Sequence, residues 1–186
     1  MSSYDSERDP IPERALPTIL LVAGPNGAGK TTFATRWIND SAPNYVFANA
    51  DEIARRLTEP TLSSTERDMR AGRLMLAQLD AHVARGADIV LETTLSSRLY
   101  ARRIMQWRAS GYSVVLVYVG LPNVEASISR VAHRVRMGGH DVAEGDLRRR
   151  FERSRANLEI YKALVDRWEV WESREGTTSF VARSSS

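Results

Sequence analysis

Cysteine is missing altogether from these 186 residues. Its absence excludes disulfide staples, thiolate metal sites and cysteine nucleophiles together. Histidine is scarce, leaving His82, His133 and His140 as the only imidazoles. Lysine is scarcer still: of 26 basic residues only Lys30 and Lys162 are lysine, which makes Lys30 conspicuous. Apolar runs are short, the longest being Ile19 to Ala23 and Val114 to Val119, far below the ~20 residues that cross a bilayer. The stretch Met1 to Pro17 is acidic and proline-containing and has no apolar core of the kind a secretory signal needs. No membrane segment and a cytoplasmic location are therefore the expectation.

What is present suits one folded domain. Hydrophobic residues make up 42% and charged residues 26%, the balance of a soluble globular chain with a substantial core. A formal charge of +3 argues little for nucleic acid. The positive charge is local, with eight arginines from Arg130 to Arg155 against Asp141, Glu144, Asp146 and Glu152.

Residues 1–17 read as a flexible lead-in, 18–183 as one folded domain, and 184–186 as a frayed tail. Strand candidates fall at 18–23, 45–48, 87–93, 114–121, 168–172 and 179–183, the last two as a hairpin around Glu175-Gly176. Helical periods occupy about 29–40, 49–58, 64–85, 97–109, 123–137 and 143–166. In the third, Met69, Gly72, Leu76, Leu79 and Val83 share one face and are expected to meet the sheet. The first four strands are apolar on both faces, as strands of a parallel sheet covered by helices are. The chain is α/β: three layers around a mostly parallel sheet of five to six strands.

Directly after the first strand stands Gly24-Pro25-Asn26-Gly27-Ala28-Gly29-Lys30-Thr31, the full G-x-x-x-x-G-K-[ST] pattern, with Thr32 continuing into a helix. Strand, glycine loop and helix occur in the order a Walker A loop requires. Its backbone N–H groups and helix N-terminus favour a phosphate, Lys30 reaches the β/γ-phosphates, and the Thr31 hydroxyl can ligate Mg²⁺.

Such a loop sets nucleotide binding but not the reaction. No guanine-reading Asn-Lys-x-Asp and no Leu-Ser-Gly-Gly-Gln is present, which weakens a GTPase or a transporter ATPase. A small-molecule kinase needs a carboxylate near the acceptor hydroxyl, a group near the metal, and arginines over the transferring phosphoryl. Asp51 follows the second strand and opens a helix, on the side where α/β sheets place their ligands. It is read as the base for the acceptor hydroxyl, the competing reading being a first-turn acid with Asn49 as helix cap. Glu92 ends the third strand and is read as holding Mg²⁺ or orienting the acceptor. Arg130 and Arg134 share one flank of their helix, and Arg150, Arg153 and Asn157 one flank of the next. The connection Met137 to Val142, with its paired glycines, suits a lid, placed at about 134–150. Arg148, Arg149 and Arg155 read as a solvated face.

The sequence resembles the zeta-toxin family of P-loop kinases, in its compact single-domain branch. The segments that carry this are Val22 to Thr32, Asn49 to Ile53, Leu91 to Leu95, Gly120 to Pro122, and Arg134 to Val142 with Arg148 to Phe151. The resemblance implies an adenylate-kinase-like strand order with the loop strand central. It implies ATP-dependent phosphorylation of a UDP-linked amino sugar such as UDP-N-acetylglucosamine, with Asp51 as catalytic aspartate. Glu92 and Thr94 match its strand-end pair, Lys30 and Thr31 its phosphate loop, and Arg134 its phosphate-clamping arginine. An antitoxin protein is an implied partner.

Together these readings give an ATP- and Mg²⁺-dependent phosphotransferase. Asp51, Lys30, Glu92 and Arg134 are assigned to catalysis, Gly24 to Thr32 to the nucleotide, and Thr94, Arg150 and Arg153 to the acceptor. The alternative is a nucleotide-switched ATPase whose Arg130 to Arg155 segment contacts nucleic acid or a partner protein. Against nucleic acid, that segment has no aromatic interleaving apart from Phe151.

Overall fold

A computed structural model describes residues 16–41, 44–57, 63–139 and 141–185, without the side chains of 41, 51, 55, 64, 65 and 68. Most of the expected lead-in, residue 186 of the tail, and His140 of the glycine connection lie outside the described residues.

The chain runs β1 (Thr18–Ala23), α1 (Lys30–Ser41), β2 (Val46–Ala48), α2 (Ala50–Arg56), α3 (Ser64–Val83), β3 (Ile89–Thr93), α4 (Leu99–Ala109), β4 (Ser113–Gly120), α5 (Val124–Arg136), α6 (Glu144–Lys162), β5 (Arg167–Arg174) and β6 (Thr177–Arg183). The six strands form one sheet in the order β2-β3-β1-β4-β5-β6. The first five lie parallel and β6 returns antiparallel to β5. The loop strand is therefore central, and its C-terminal end sits between those of β3 and β4.

Strand alternation sorts the core into two layers. Ile19, Leu21, Ile89, Leu91, Val114 and Leu116 pack on one side with Leu79, Ile104, Trp107 and Tyr161. Leu20, Val22, Val90, Val115 and Val117 pack on the other with Phe33, Trp37 and Phe151. Burial on both faces explains why β1 and β4 read as unbroken apolar runs. Leu79 is fully buried, and Leu79→Ala is expected to lower stability by about 2–5 kcal/mol, measured by chemical denaturation.

Several boundaries and one helix face differ from the sequence reading. Asp88 lies outside β3, and its carboxylate accepts from the Thr18 N–H at 2.8 Å, tying the starts of two neighbouring strands. The last helix stops at Lys162, so Val165 packs from the turn that follows it. On α3 the buried line is Ala71, Met75 and Leu79, whereas Met69 is 55% exposed. The first half of that helix faces a cavity also lined by Ala54 of α2, where small side chains fit. Hydrophobicity alone had selected Met69 there.

Candidate active site

The loop between β1 and α1 begins at Gly24, whose backbone lies against that of Val119 in β4. Lys30 is buried. Its Nζ donates to the Pro25 carbonyl at 3.0 Å and lies 3.8 Å from Glu92 Oε1. Glu92 reaches the loop because β3 pairs with β1 in a register that sets it beside Val22. Its Oε2 accepts from Thr31 Oγ1 at 2.8 Å and from Asn49 Nδ2 at 2.8 Å. Two strands and two helix starts thus converge on one carboxylate.

This donor set fits a magnesium ion. A hydroxyl and a carboxylate are hard oxygen ligands, and Mg²⁺ takes one or two such groups, completing its shell with phosphates and water. No cluster of three or more His, Asp or Glu suited to a metal occurs among the described residues, so an all-protein cage is not what these residues build.

A cavity of about 490 Å³ opens from the loop. Asn26, Gly27, Gly29, Lys30, Thr31 and Thr32 of the loop and its helix line it together with Arg130, Arg134 and Arg150. Ala54, Ala71, Met75 and Tyr100 of the helices, and Thr93 and Thr94 at the end of β3, line it as well. Burial pushes the Tyr100 phenol up to about 12, so at neutral pH it keeps its proton and can act as a donor.

The loop after β3 carries Thr94 and is held from a distance. Leu95, almost fully buried, sits at φ +58°, a conformation costly for a residue with a Cβ. Asn157 Nδ2 donates to its carbonyl at 2.9 Å, and Tyr161 Oη donates to the Ser97 carbonyl at 2.9 Å. The Thr93 hydroxyl accepts from the Leu95 N–H at 3.1 Å. Helix α6 therefore sets the shape of this loop.

Of the residues expected from sequence, Lys30, Thr31, Glu92, Thr94, Arg134 and Arg150 meet in the one cavity. Gly24, Pro25 and Ala28 lie behind the lining, Ala28 packing into the core. Arg153 is exposed and outside the lining, so α6 presents Arg150 instead. Asp51 is the second residue of α2, next to Ala50 of the lining, and its side chain lies outside the described residues. Asn49 directly precedes α2, the position of the expected cap, and its Nδ2 also donates to Glu92. Tyr100 and Ser127 carry no signal in the sequence, and Asn157, expected on the flank with Arg150, is buried and holds the Leu95 carbonyl. Their partners are remote in sequence, and no local pattern announces them.

Three of the eight arginines in the arginine-rich segment contact residues within it. Arg148 pairs with Glu144 at 2.8 Å and Glu125 at 3.2 Å, and Arg149 pairs with Asp146. Arg155 lies 5.9 Å from the centre of the Phe151 ring.

A mostly parallel sheet of this order, with a Walker loop after its central strand and a strand-end carboxylate beside it, defines a P-loop nucleotide-binding fold. Residues 2–185 match the sequence profile described as Zeta toxin. The chain belongs to the zeta-toxin family.

Two curated relatives resemble it over most of their length. An uncharacterized protein of Haemophilus influenzae is 30% identical over 134 residues, 71% of this chain and 91% of the relative. A cytidylate kinase of Ignicoccus hospitalis is 28% identical over 168 residues, 80% of this chain and 89% of the relative. Among solved structures, AvrRxo1-ORF1:-ORF2 with ATP superposes with a TM-score of 0.73 at 20% identity, covering 90% of this chain and 58% of that one. The PezAT toxin-antitoxin system of Streptococcus pneumoniae gives 0.65 at 18% identity, covering 92% and 72%. Against the AvrRxo1 structure, this chain spans a little over half the length of its neighbour. Among the described residues no helix is long and apolar enough to cross a membrane.

Proposed function

We propose that this kinase moves the γ-phosphoryl of Mg-ATP to a hydroxyl of a UDP-sugar, UDP-N-acetylglucosamine being the first candidate. The observation that carries a transfer reaction is the convergence of Lys30, Thr31 and Asn49 on Glu92 in a cavity that Thr94 and Tyr100 also line. A nucleotide-binding switch needs the first part of that arrangement but not the second. The internal pairing of Arg148 and Arg149 also leaves less free positive charge for nucleic acid.

In this reading the loop amides and Lys30 hold the phosphates, and Thr31 with Glu92 would hold magnesium, which when bound offsets phosphate charge. Arg134 and Arg150 face the transferring group and offset charge that grows as the reaction proceeds. The acceptor oxygen forms a bond to the γ-phosphorus as the bond to the bridging oxygen breaks and ADP leaves. The acceptor's proton passes to the carboxylate of Asp51, the second residue of α2, which follows in sequence Asn49 and Ala50 of the cavity lining. The Tyr100 hydroxyl donates to a polar atom of the acceptor, and Ala54, Ala71 and Met75 accept its apolar part.

Support for ATP comes from the AvrRxo1 structure, solved with that nucleotide, and support for a nucleotide-linked acceptor from the cytidylate kinase relative. The PezAT system pairs a toxin with an antitoxin, and we extend to this chain a protein partner of that kind.

The test is mass spectrometry of UDP-N-acetylglucosamine incubated with the protein and Mg-ATP, with CMP in a parallel reaction. The expected result is a gain of one phosphate on the UDP-sugar, abolished in Lys30→Ala. Asp51→Asn is expected to lose transfer and keep ATP binding. A gain on CMP alone would replace the acceptor, and transfer retained by Asp51→Asn would remove Asp51 from its role.

A further inference from the structure

Helix α5 is bonded to the outer side of the phosphate loop. Ser127 Oγ, fully buried, donates to the Asn26 carbonyl at 2.7 Å. One turn on, Arg130 Nη1 donates to the Gly27 carbonyl at 3.3 Å. The same guanidinium donates to Ser173 Oγ at 2.8 Å and to the Ser173 carbonyl at 3.2 Å, near the end of β5. Contact here is close: a Cβ on Gly27 would stand 3.1 Å from Arg130 Cβ and 3.2 Å from the Ser127 carbonyl oxygen.

A trans peptide carries its N–H opposite its C=O. Drawing the Asn26 carbonyl to Ser127 therefore turns the Gly27 N–H the other way, where it can meet a phosphate, while the Ala28 N–H donates to the Pro25 carbonyl at 3.3 Å and closes the turn. Neither Ser127 nor Ser173 lines the cavity, so both must act on a nucleotide through the loop.

We propose that Ser127 is a positioning residue for phosphate binding, and that Arg130 ties the same loop to the β5–β6 hairpin, so that Ser173 contributes to nucleotide affinity from outside the cavity. The proposal rests on the loop holding a nucleotide and does not depend on the acceptor. Ser127 gives the Asn26 carbonyl a buried partner, and its removal leaves that peptide free to turn. Affinity is lost because a preorganised cradle becomes one that must be ordered on binding.

The experiment is calorimetric titration of Mg-ADP into the full chain, with melting midpoints measured separately and titrations run well below all of them. Ser127→Ala is expected to weaken ADP binding about tenfold, the effect of losing one buried hydrogen-bond partner, and Ser173→Ala about threefold. Ser129→Ala, which removes an exposed hydroxyl from the same helix, is expected to match the wild type. A role confined to stability would lower the melting midpoint of Ser127→Ala and leave its ADP affinity unchanged, and that outcome overturns the proposal. Unchanged affinity in Ser173→Ala overturns the link to the hairpin. A wild type that fails to bind ADP overturns the nucleotide reading and this proposal with it.

Discussion

Glu92→Gln is expected to slow phosphoryl transfer by about 10²- to 10³-fold, the loss that follows removal of one preorganised electrostatic group. Gln keeps the size of the side chain and removes its charge. One carboxylate oxygen receives both the Thr31 hydroxyl and the Asn49 amide at 2.8 Å, and the other faces Lys30. An amide cannot accept on both sides, so at least one of those three donors meets another donor. A magnesium ion held by Thr31 and Glu92 would lose a charged ligand at the same time. ADP binding without magnesium should move the other way, staying level or tightening, because a negative charge is taken from beside anionic phosphates. Steady-state rates with and without added magnesium, set beside ADP titrations in chelator, separate the two effects. An unchanged rate would remove Glu92 from the chemistry.

Gly24→Ala is expected to destabilise the fold by about 3 kcal/mol or more, through collision added to backbone strain. Its φ is +141°, and a Cβ there would stand 2.1 Å from the Val119 carbonyl oxygen. That oxygen belongs to the backbone of β4, which pairs with β1 up to Tyr118 and with β5 at Val119, so no flexible side chain can yield. Gly29→Ala is the comparison. Gly29 has φ +89° with nothing within 4 Å of an added Cβ, so it carries the strain without the collision. Denaturation midpoints for the pair should differ clearly, and equal effects would mean that the contact with β4 is not what demands glycine at 24.

The phosphate loop was legible because everything that defines it is contiguous. The strand, the glycines, Lys30 and Thr31 fall within residues 18–31, so the pattern can be read without knowing what packs against the loop. The parallel sheet was legible because strands covered on both faces must be apolar throughout. Glu92 stood out as the carboxylate that ends such a run. The rest of the cavity was not legible in this way. Met69 was chosen for hydrophobicity where the helix needed Ala71, since packing against α2 and the cavity favours a small side chain. Ser127 gives no sign in the sequence, and the flank that holds Asn157 does not reveal its role, because their partners are backbone carbonyls 101 and 62 residues away. A buried polar side chain that serves remote backbone looks, in sequence, like any polar residue on a helix. Arg150 and Arg153 lie on one flank by helical arithmetic, and only the packing of α6 separates the one that faces the cavity.

The left-handed turn at Leu95 has a consequence for the order in which the protein becomes competent. Its shape depends on Asn157 and Tyr161, which emerge during synthesis more than sixty residues after it. A growing chain can already carry the Walker loop, Asn49 and Glu92, yet it lacks the helix that holds Thr94 and its neighbours in place. An unsupported Leu95 relaxes to the ordinary β or α region, since nothing opposes the preference of its Cβ. The loop that carries Thr94 therefore takes its final shape only once α6, the last helix of the described residues, has been made and has docked.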